Sequence, residues 1–154
     1  MRVFWSLALA AGVVLAATGG SPADEKKSAD KEKKLMLPDL KAKEWKKTDS
    51  GLEIWDVKEG KGDAVKAGAR VKVHYTGWLT DGKIFDSSVQ RGEPIEFPLT
   101  GVIKGWQEGI PGMKPGGVRR LKIPPELAYG KRGAPGAIPP DSTLVFEVEL
   151  LEIK

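Results

Sequence analysis

The segment from His74 to Ser88 limits the fold more than any other part of this chain. It reads HYTGWLTDGKIFDSS, two strand-like arms on either side of Asp81-Gly82, and an Asp-Gly pair in that position predicts a two-residue hairpin turn. A hairpin here would bring aromatic residues close to a single carboxylate: Tyr75, Trp78, Phe85 and Asp86. No serine–histidine pair, cysteine or metal-ligand cluster accompanies these residues in the sequence. The pattern therefore favours an apolar pocket with one or two polar groups.

The composition excludes several kinds of chemistry. The chain has no Cys and one His, which rules out disulfides, thiol catalysis and Cys-based or His-rich metal sites. No metal and no cofactor is expected. The formal net charge of +4 comes from Lys and Arg spread among Asp and Glu rather than gathered on one stripe, so nucleic acid is not an expected partner. Nothing in the sequence requires a dimer, and a monomer is expected.

Residues 1–23 have the pattern of a secretory signal peptide. Arg2 supplies the positive start, an apolar run follows from Val3 to Ala17, and Ser21-Pro22-Ala23 offers a cleavage site between small residues. The pattern predicts an exported protein, periplasmic or secreted. The alternative is an uncleaved membrane anchor, because the uncharged stretch approaches the ~20 residues that a spanning helix needs. Contact with a membrane is expected only in that case.

Residues 24–47 are predicted to form a charged, flexible linker. The stretch DEKKSADKEKK, which begins at Asp24, has no apolar periodicity and cannot bury enough surface to offset the entropy of ordering. Leu35-Met36-Leu37 is expected to touch the folded domain loosely, and Trp45 to cover part of its edge. The folded domain is predicted to span residues 48–154.

Alternating hydrophobic residues predict the strands of this domain. From Arg70 to Leu79, Val71, Val73 and Tyr75 share one face, and His74 is expected on the other. The last strand places four apolar residues on one face: Leu144, Phe146, Val148 and Leu150. Further strands are expected near Leu52–Val57, at Ile95–Phe97 and over Val118–Ile123.

One short helix is predicted among these strands. Trp106, Ile110 and Met113 follow the i, i+4, i+7 spacing of a single helical face. The Gly- and Pro-rich stretch between Tyr129 and Thr143 predicts a long loop. The expected fold class is α+β, an antiparallel sheet curved around one short α-helix.

Four blocks in order resemble the FKBP-type peptidyl-prolyl cis-trans isomerases, the macrolide-binding immunophilins. Besides the hairpin segment they are VIKGWQEGIPGMKPGG from Val102, RRLKIPPELAYG from Arg119 and IPPDSTLVFEVELLEI from Ile138. The similarity covers roughly Thr48 to Lys154. It implies an enzyme that accelerates rotation about Xaa-Pro peptide bonds during the folding of exported proteins. The implied partners are proline-containing polypeptides and macrolide inhibitors.

The resemblance also assigns residues to the catalytic pocket. Trp106 would form the floor under the proline ring, and Asp86, Tyr129 and the backbone amide of Ile103 would face substrate carbonyls. The walls would be Tyr75, Phe85, Phe146 and Ile103. Arg91 would hold Asp86 by charge and hydrogen bonding. The other rim residues are expected to be Ile95, Phe97, Val102, Ala137 and Ile138.

The chain departs from the family pattern at the pocket rim. The segment Leu99–Ile103 is slightly shorter than its usual counterpart, and Gly101 stands where a longer polar or charged side chain is common. Ala134 and Ala137 stand where bulkier residues are frequent. These changes predict an altered substrate preference and macrolide affinity above an intact floor. A second hypothesis is a non-catalytic module that binds proline-containing segments, or a chaperone, using the same pocket.

Overall fold

The computed structural model describes residues 21–154, so the predicted signal peptide lies outside the described residues except for Ser21–Ala23. The described residues form an antiparallel sheet with short helices, the α+β architecture predicted from the sequence. The strands are β1 Lys46–Lys47, β2 Glu53–Lys58, β3 Arg70–Leu79, β4 Ile84–Ser87, β5 Ile95–Pro98, β6 Val118–Ile123 and β7 Leu144–Ile153. The helices are α1 Pro22–Lys34, α2 Ser88–Arg91 and α3 Lys104–Gly109, with a 3-10 turn at Pro125–Leu127.

Strand β3 organises the sheet. The strand order is β1-β2-β6-β7-β3-β4, and β5 also pairs with β3. One edge of β3 pairs with β7 along its length, from Val71 opposite Ile153 to Leu79 opposite Leu144. The other edge is shared, because its first half pairs with β5 and its second half with β4. Side chains from β4, β5 and β7 therefore gather next to β3.

Helix α3 packs closely on the inner face of the sheet because of two glycines. A Cβ atom on Gly105 would lie 2.5 Å from Ile123, and one on Gly109 would lie 2.6 Å from Leu121. A side chain larger than hydrogen at either position would displace the side chain of Ile123 or Leu121 on β6. This close approach buries Trp106, which is 3% exposed, between the helix and the sheet.

The predicted apolar face of α3 is longer than the helix itself. The helix ends at Gly109, with Ile110 as its C-cap residue. Met113 follows a turn in which Gly112 has a φ of +92°, so it is not part of the helix. Met113 is nevertheless buried in the same core, because the chain folds back beside Val65, whose amide donates to the Met113 carbonyl at 2.7 Å.

The hairpin between β3 and β4 differs from the prediction in its turn. The Leu79 amide donates to the Lys83 carbonyl at 2.8 Å, and the Gly82 amide donates to the Leu79 carbonyl at 3.0 Å. These bonds enclose three residues rather than two. Gly82 has a φ of +95°, which glycine adopts without steric cost. The hairpin is confirmed and the two-residue turn is wrong.

The two faces of β3 carry different residues. Val71, Val73 and Tyr75 point to the inner face and are buried in the core. His74 lies on the outer face, as predicted, and so does Trp78, because side chains alternate along a strand. Of the hairpin residues expected close to the Asp86 carboxylate, Trp78 therefore lies on the opposite face of the strand from Tyr75. Trp78 is fully buried, but beneath the segment that precedes the domain.

That segment begins with an exposed helix. Helix α1 has no buried residue, and both signs of charge alternate along it. Its capping box is formed by Ser21 and Asp24. No ordered element was expected here, so the helix differs from the expectation. The flexibility of the linker stays a prediction.

Residues 34–47, which we call the strap, cross the outer face of the sheet. At β3 the indole nitrogen of Trp78 donates to the Leu35 carbonyl at 3.1 Å, and at β6 Lys122 Nζ donates to the Leu40 carbonyl at 3.3 Å. At β2 the rings of Trp45 and Trp55 meet edge to face with centroids 5.6 Å apart. Strand β1 then pairs with β2. The strap thus contacts the domain at several points, more than the loose contact predicted for Leu35-Met36-Leu37.

Within residues 21–154, no helix is both long enough and apolar enough to cross a membrane.

Candidate active site

An open cavity of about 400 Å³ lies on the inner face of the sheet above α3. Five elements and two loops supply its lining, which is mainly aromatic and aliphatic with one carboxylate. The lining residues are Tyr75, Phe85, Asp86, Phe97, Gly101, Val102, Ile103, Trp106, Tyr129 and Phe146. All seven residues predicted to be catalytic are therefore brought together around one cavity; their catalytic roles stay predictions.

Trp106 lies at the centre of an aromatic cluster. Its ring meets three others edge to face, with centroid distances of 5.3 Å to Tyr75, 5.4 Å to Phe97 and 5.4 Å to Phe146. Such edge-to-face pairs hold each ring at a fixed angle and stabilise it beyond the burial of its area. The rings around Trp106 therefore form stiff walls around the cavity floor.

Gly77 makes room for one of these walls. A Cβ atom on Gly77 would lie 2.6 Å from Phe85 Cζ and 2.8 Å from Phe146 Cε1. Without it, the rings of Phe85 and Phe146 meet edge to face with centroids 5.4 Å apart, directly over the β3 backbone. Gly77 belongs to the hairpin segment but was not among the predicted site residues.

A β-bulge explains how consecutive residues of β4 both reach the cavity. Gly77 pairs with Asp86 and Trp78 pairs with Ile84, so Phe85 is the extra residue on β4. In a regular strand, neighbouring side chains point to opposite faces. The bulge re-aims one of them, which lets Phe85 and Asp86 line the same cavity.

Asp86 is held from two sides. Tyr75 donates its phenol O–H to one carboxylate oxygen, and Arg91 donates from its guanidinium to the other. Arg91 also donates to the Tyr75 oxygen at 3.3 Å. Helix α2 places Arg91 here: its N-cap Ser87 accepts from the Gln90 amide at 3.2 Å, and the helix ends one turn later. The carboxylate is therefore fixed and its charge is compensated.

Burial and this network together raise the pKa of the Tyr75 phenol. Burial, followed by the hydrogen bond to Asp86, raises the pKa of Tyr75 to about 12. The hydrogen bonds to Tyr75 and Asp86 raise the pKa of Arg91 as well. Tyr75 is neutral and Arg91 is cationic at neutral pH even with ordinary pKa values, and the raised pKa values extend these states to higher pH.

Behind Tyr75, a buried serine links the cavity wall to the outer face. Ser88 Oγ accepts from the Tyr75 amide at 2.8 Å and lies 2.9 Å from His74 Nδ1. Burial lowers the pKa of His74; Glu149 opposes this effect and Lys34 adds to it. The hydrogen bond to Ser88 fixes the imidazole on the side of β3 away from the cavity.

The predicted rim residues divide into two groups. Phe97 and Val102 line the cavity, and Arg91 supports Asp86 from outside it. The other three do not line the cavity: Ile95, Ala137 and Ile138. Ile95 is paired with Val73 and packs on the core, and Ile138 is itself a core residue at 6% exposed. Ala137 is exposed in the loop after Tyr129.

Two glycines also belong to the site: Gly101, already noted at the pocket rim, and Gly77, which was not predicted. Gly101 lines the cavity directly, and Gly77 lies under its wall. Because glycine has no side chain, the sequence gave no direct sign that Gly77 contacts the site. The signal for Gly77 was its position in β3 on the same face as Val73 and Tyr75, where a small residue leaves space for facing rings.

Residues 61–151 match the family model described as FKBP-type peptidyl-prolyl cis-trans isomerase. The chain belongs to this family. The match includes all ten cavity-lining residues, so the whole cavity falls inside the family region.

Known FKBP-type proteins resemble the chain over different lengths. The Escherichia coli protein FkpA is 53% identical over 133 residues, which are 84% of this chain and 49% of FkpA. Its crystal structure aligns with a TM-score of 0.71 and covers 84% of this chain and 58% of that one. FK506-binding protein 1 of Dictyostelium discoideum is 53% identical over 106 residues, 68% of this chain and 99% of that protein. A Haemophilus influenzae relative named as a probable FKBP-type isomerase is 46% identical over 143 residues, 93% of this chain and 59% of the relative. The chain thus spans about half the length of these two bacterial relatives.

Proposed function

We propose that the cavity accelerates cis–trans rotation about Xaa-Pro peptide bonds. The observation that carries this proposal is an aromatic cavity with Trp106 as its floor and a single, fixed carboxylate, Asp86, at its side. The barrier to peptide-bond rotation is about 18–20 kcal/mol, and at proline the two isomers exchange in tens to hundreds of seconds. A catalyst of this step needs neither a nucleophile nor a proton donor.

The apolar walls supply the catalytic effect in this proposal. A twisted amide has lost its resonance and carries less charge separation between oxygen and nitrogen than a planar one. An apolar cavity therefore disfavours the planar amide more than the twisted one, and binding the transition state better than the substrate is what lowers a barrier. Trp106, with Phe97 and Phe146 around it, provides this environment for the proline ring.

Three polar groups would orient the substrate. Asp86 is held by Tyr75 and Arg91, so it keeps one geometry when a peptide binds. The Ile103 amide is the N-cap N–H of α3 and has no hydrogen-bond acceptor among residues 21–154, which leaves it available to a substrate carbonyl. Tyr129 lines the cavity and is 43% exposed, so its phenol would be within reach of a peptide that leaves the rim.

We infer the substrate proteins and the location of the activity from the N-terminal sequence pattern. The predicted signal peptide supports action on exported proteins, periplasmic or secreted, with membrane anchoring as the alternative if residues 1–23 are retained. A macrolide of the FK506 type is the proposed inhibitor, because the relative named FK506-binding protein 1 aligns over nearly its whole length. The gap left by Gly101 is expected to weaken that binding.

A substitution of the carboxylate tests the proposal. Asp86→Ala should lower kcat/KM in a protease-free isomerisation assay by about tenfold, which corresponds to ~1.4 kcal/mol of transition-state binding. Its folding should change little, because Asp86 is partly exposed. The control is Asp49→Ala, which removes the same group from an exposed loop before β2. Equal activity in both variants would remove Asp86 from the mechanism. A folded wild-type protein that binds macrolide without accelerating the reaction would be a non-catalytic binding module.

A further inference from the structure

Gly101 is the one glycine within residues 21–154 that neither its backbone conformation nor its packing requires. Ten of the other glycines in this range have a positive φ, and the remaining five would place a Cβ atom less than 3.0 Å from a neighbouring atom. The φ of Gly101 lies outside the left-handed region, and its Cβ would come no nearer than 3.7 Å, to Pro98. The missing side chain therefore leaves space at this position and relieves neither strain nor a clash.

This space belongs to the cavity. Gly101 lines the cavity together with Val102 and Ile103 and is exposed to solvent, so it lies where the cavity opens. A cavity of about 400 Å³ is within the size range that holds drug-sized ligands, whereas a proline ring brings only three side-chain carbons. The ring would therefore leave part of the cavity to another side chain of the substrate.

The connection around Gly101 is fixed on both sides. Before it, Leu99 is buried in the core at 1% exposed. The Gly101 amide closes the turn by donating to the Pro98 carbonyl at 3.0 Å. After it, Gln107 Nε2 donates to the Val102 carbonyl at 2.7 Å. The space at Gly101 is thus a defined part of the opening.

The geometry of proline rotation indicates which substrate residue reaches this space. With the ring held on Trp106, rotation about the Xaa-Pro bond swings the carbonyl of the preceding residue, while the carbonyl of proline itself keeps its place. A fixed donor can hold only the second of these carbonyls through the whole rotation. The Ile103 amide is such a donor, because the Trp106 amide donates to the Ile103 carbonyl at 3.0 Å at the start of α3. The residue after proline would therefore leave beside Ile103, next to Val102 and Gly101.

We propose that, given the isomerase function proposed above, Gly101 selects substrates with a large side chain directly after the proline. The chemical class is an Xaa-Pro segment followed by an aromatic or large aliphatic residue, whose side chain packs beside Val102 in the space that Gly101 leaves. One methylene in a hydrophobic pocket changes kcat/KM by about tenfold or more. Because this opening is exposed to solvent, we expect kcat/KM for Phe to exceed that for Ala by about threefold to tenfold.

Two peptides that differ only after proline test the preference. Both have Leu before proline, one has Phe and the other has Ala after it, and kcat/KM is measured with the full-length protein. The assay is protease-free, because a protease would itself discriminate between the two peptides. Equal kcat/KM values for the Phe and Ala peptides would overturn the inference. Absence of acceleration for both peptides would instead reject the isomerase function.

Variants of the turn locate the effect at Gly101. Gly101→Leu fills the space and should bring the Phe-to-Ala ratio close to one, with Gly101→Ala between it and wild type. The control Thr100→Leu places the same side chain at the neighbouring exposed position, which does not line the cavity, and should keep the ratio. Urea denaturation checks that each variant is folded. A wild-type ratio in both Gly101 variants, or an equal fall in Thr100→Leu, would show that Gly101 does not cause the preference.

A second pair of peptides checks on which side of proline the space is used. Leu and Ala are compared before proline, with Ala after it in both peptides. The Leu-to-Ala ratio should be the same in wild type and in Gly101→Leu, because the preceding residue does not reach Gly101. A change confined to this pair would assign the space to the preceding residue and overturn the proposal.

Discussion

The inner and outer faces of the sheet both bury large apolar side chains, but their surroundings differ. On the inner face, Tyr75 and Phe146 border a cavity of about 400 Å³ that is open to solvent. On the outer face, Trp78 and Val145 are fully buried, opposite each other on β3 and β7. The strap contacts Trp78 of this second pair. One face is thus left available to a ligand, and the other is closed by the chain itself.

The side chains of the two faces are held in place by different contacts. Inner-face side chains are held by ring–ring contacts and by the network around Asp86, which fixes their geometry. Outer-face side chains are held by the strap and by ion pairs such as Arg120 with Glu147 at 2.8 Å, while the Arg120 guanidinium stacks 4.4 Å from the Trp55 ring centroid. We therefore expect inner-face changes to affect kcat/KM most, and outer-face changes to affect the free energy of unfolding most.

The largest effect is expected from truncation of Trp78. Trp78→Ala removes a fully buried ring and leaves a cavity under the strap, which should cost about 3–5 kcal/mol of unfolding free energy. The value of kcat/KM per folded molecule should stay within about twofold of wild type, since Trp78 points away from the cavity. Urea denaturation and the isomerisation assay measure the two quantities. If Trp78→Ala is too unstable to assay, Trp78→Phe should stay folded and takes its place. A large loss of kcat/KM in the assayed variant would show that the outer face also controls activity.

A smaller loss of stability, with a loss of activity, is expected from a methyl group at Gly77. Gly77→Ala forces Phe85 and Phe146 apart, since the new Cβ would lie 2.6 Å and 2.8 Å from their rings. Overpacking of this kind costs about 1–3 kcal/mol. Displaced walls should lower kcat/KM by at least about tenfold. Gly101→Ala is the control, because its Cβ would come no nearer than 3.7 Å to Pro98, and it should fold like wild type. Unchanged activity in Gly77→Ala would show that the wall geometry is not required.

The ion pair that ties the helix to the domain should contribute less. Lys34 and Glu149 are 2.7 Å apart, with side chains 42% and 28% exposed, and such pairs contribute up to about 1 kcal/mol. Lys34→Met should lower the unfolding free energy by about that amount or less at low salt and leave kcat/KM unchanged. The difference should shrink at high salt. The comparison is Lys33→Met on the same helix, which forms no ion pair with a described residue; an equal loss in both variants would exclude the pair as the cause.

The smallest effect is a pH dependence from His74. Its pKa is lowered in the folded protein by burial, so the unfolded chain takes up a proton at a higher pH than the folded one. The stability due to neutral His74 is complete above about pH 6.5 and decreases as the pH falls through the lowered pKa. His74→Gln should therefore flatten the decrease in unfolding free energy between pH 7 and pH 5. An identical slope in wild type and variant would assign that decrease to other groups.

The alternation of apolar residues was sufficient to predict most of the fold. It gave the strands Arg70–Leu79 and Val118–Ile123 with the bounds that the structure has, because apolar and polar residues alternate through Val118–Ile123 and through the first half of Arg70–Leu79. It also placed His74 on the outer face. The family resemblance supplied the set of cavity residues, which periodicity alone would have left in the core.

Other features could not be predicted because they depend on contacts between distant segments. The bulge at Phe85 arises from the register between β3 and β4, which hydrophobic pattern alone does not determine. The path of the strap depends on single contacts such as Leu35 with Trp78, separated by 43 positions. Met113 follows helical spacing from Trp106, but Gly112 ends the regular backbone before it.

The rate of cis-to-trans exchange in a short Leu-Pro peptide, measured without protease and with and without an FK506-type macrolide, tests the central claim most directly. We predict an exchange rate that rises in proportion to protein concentration and returns to the uncatalysed value when the macrolide saturates the cavity. A folded protein that leaves the rate unchanged would contradict the account.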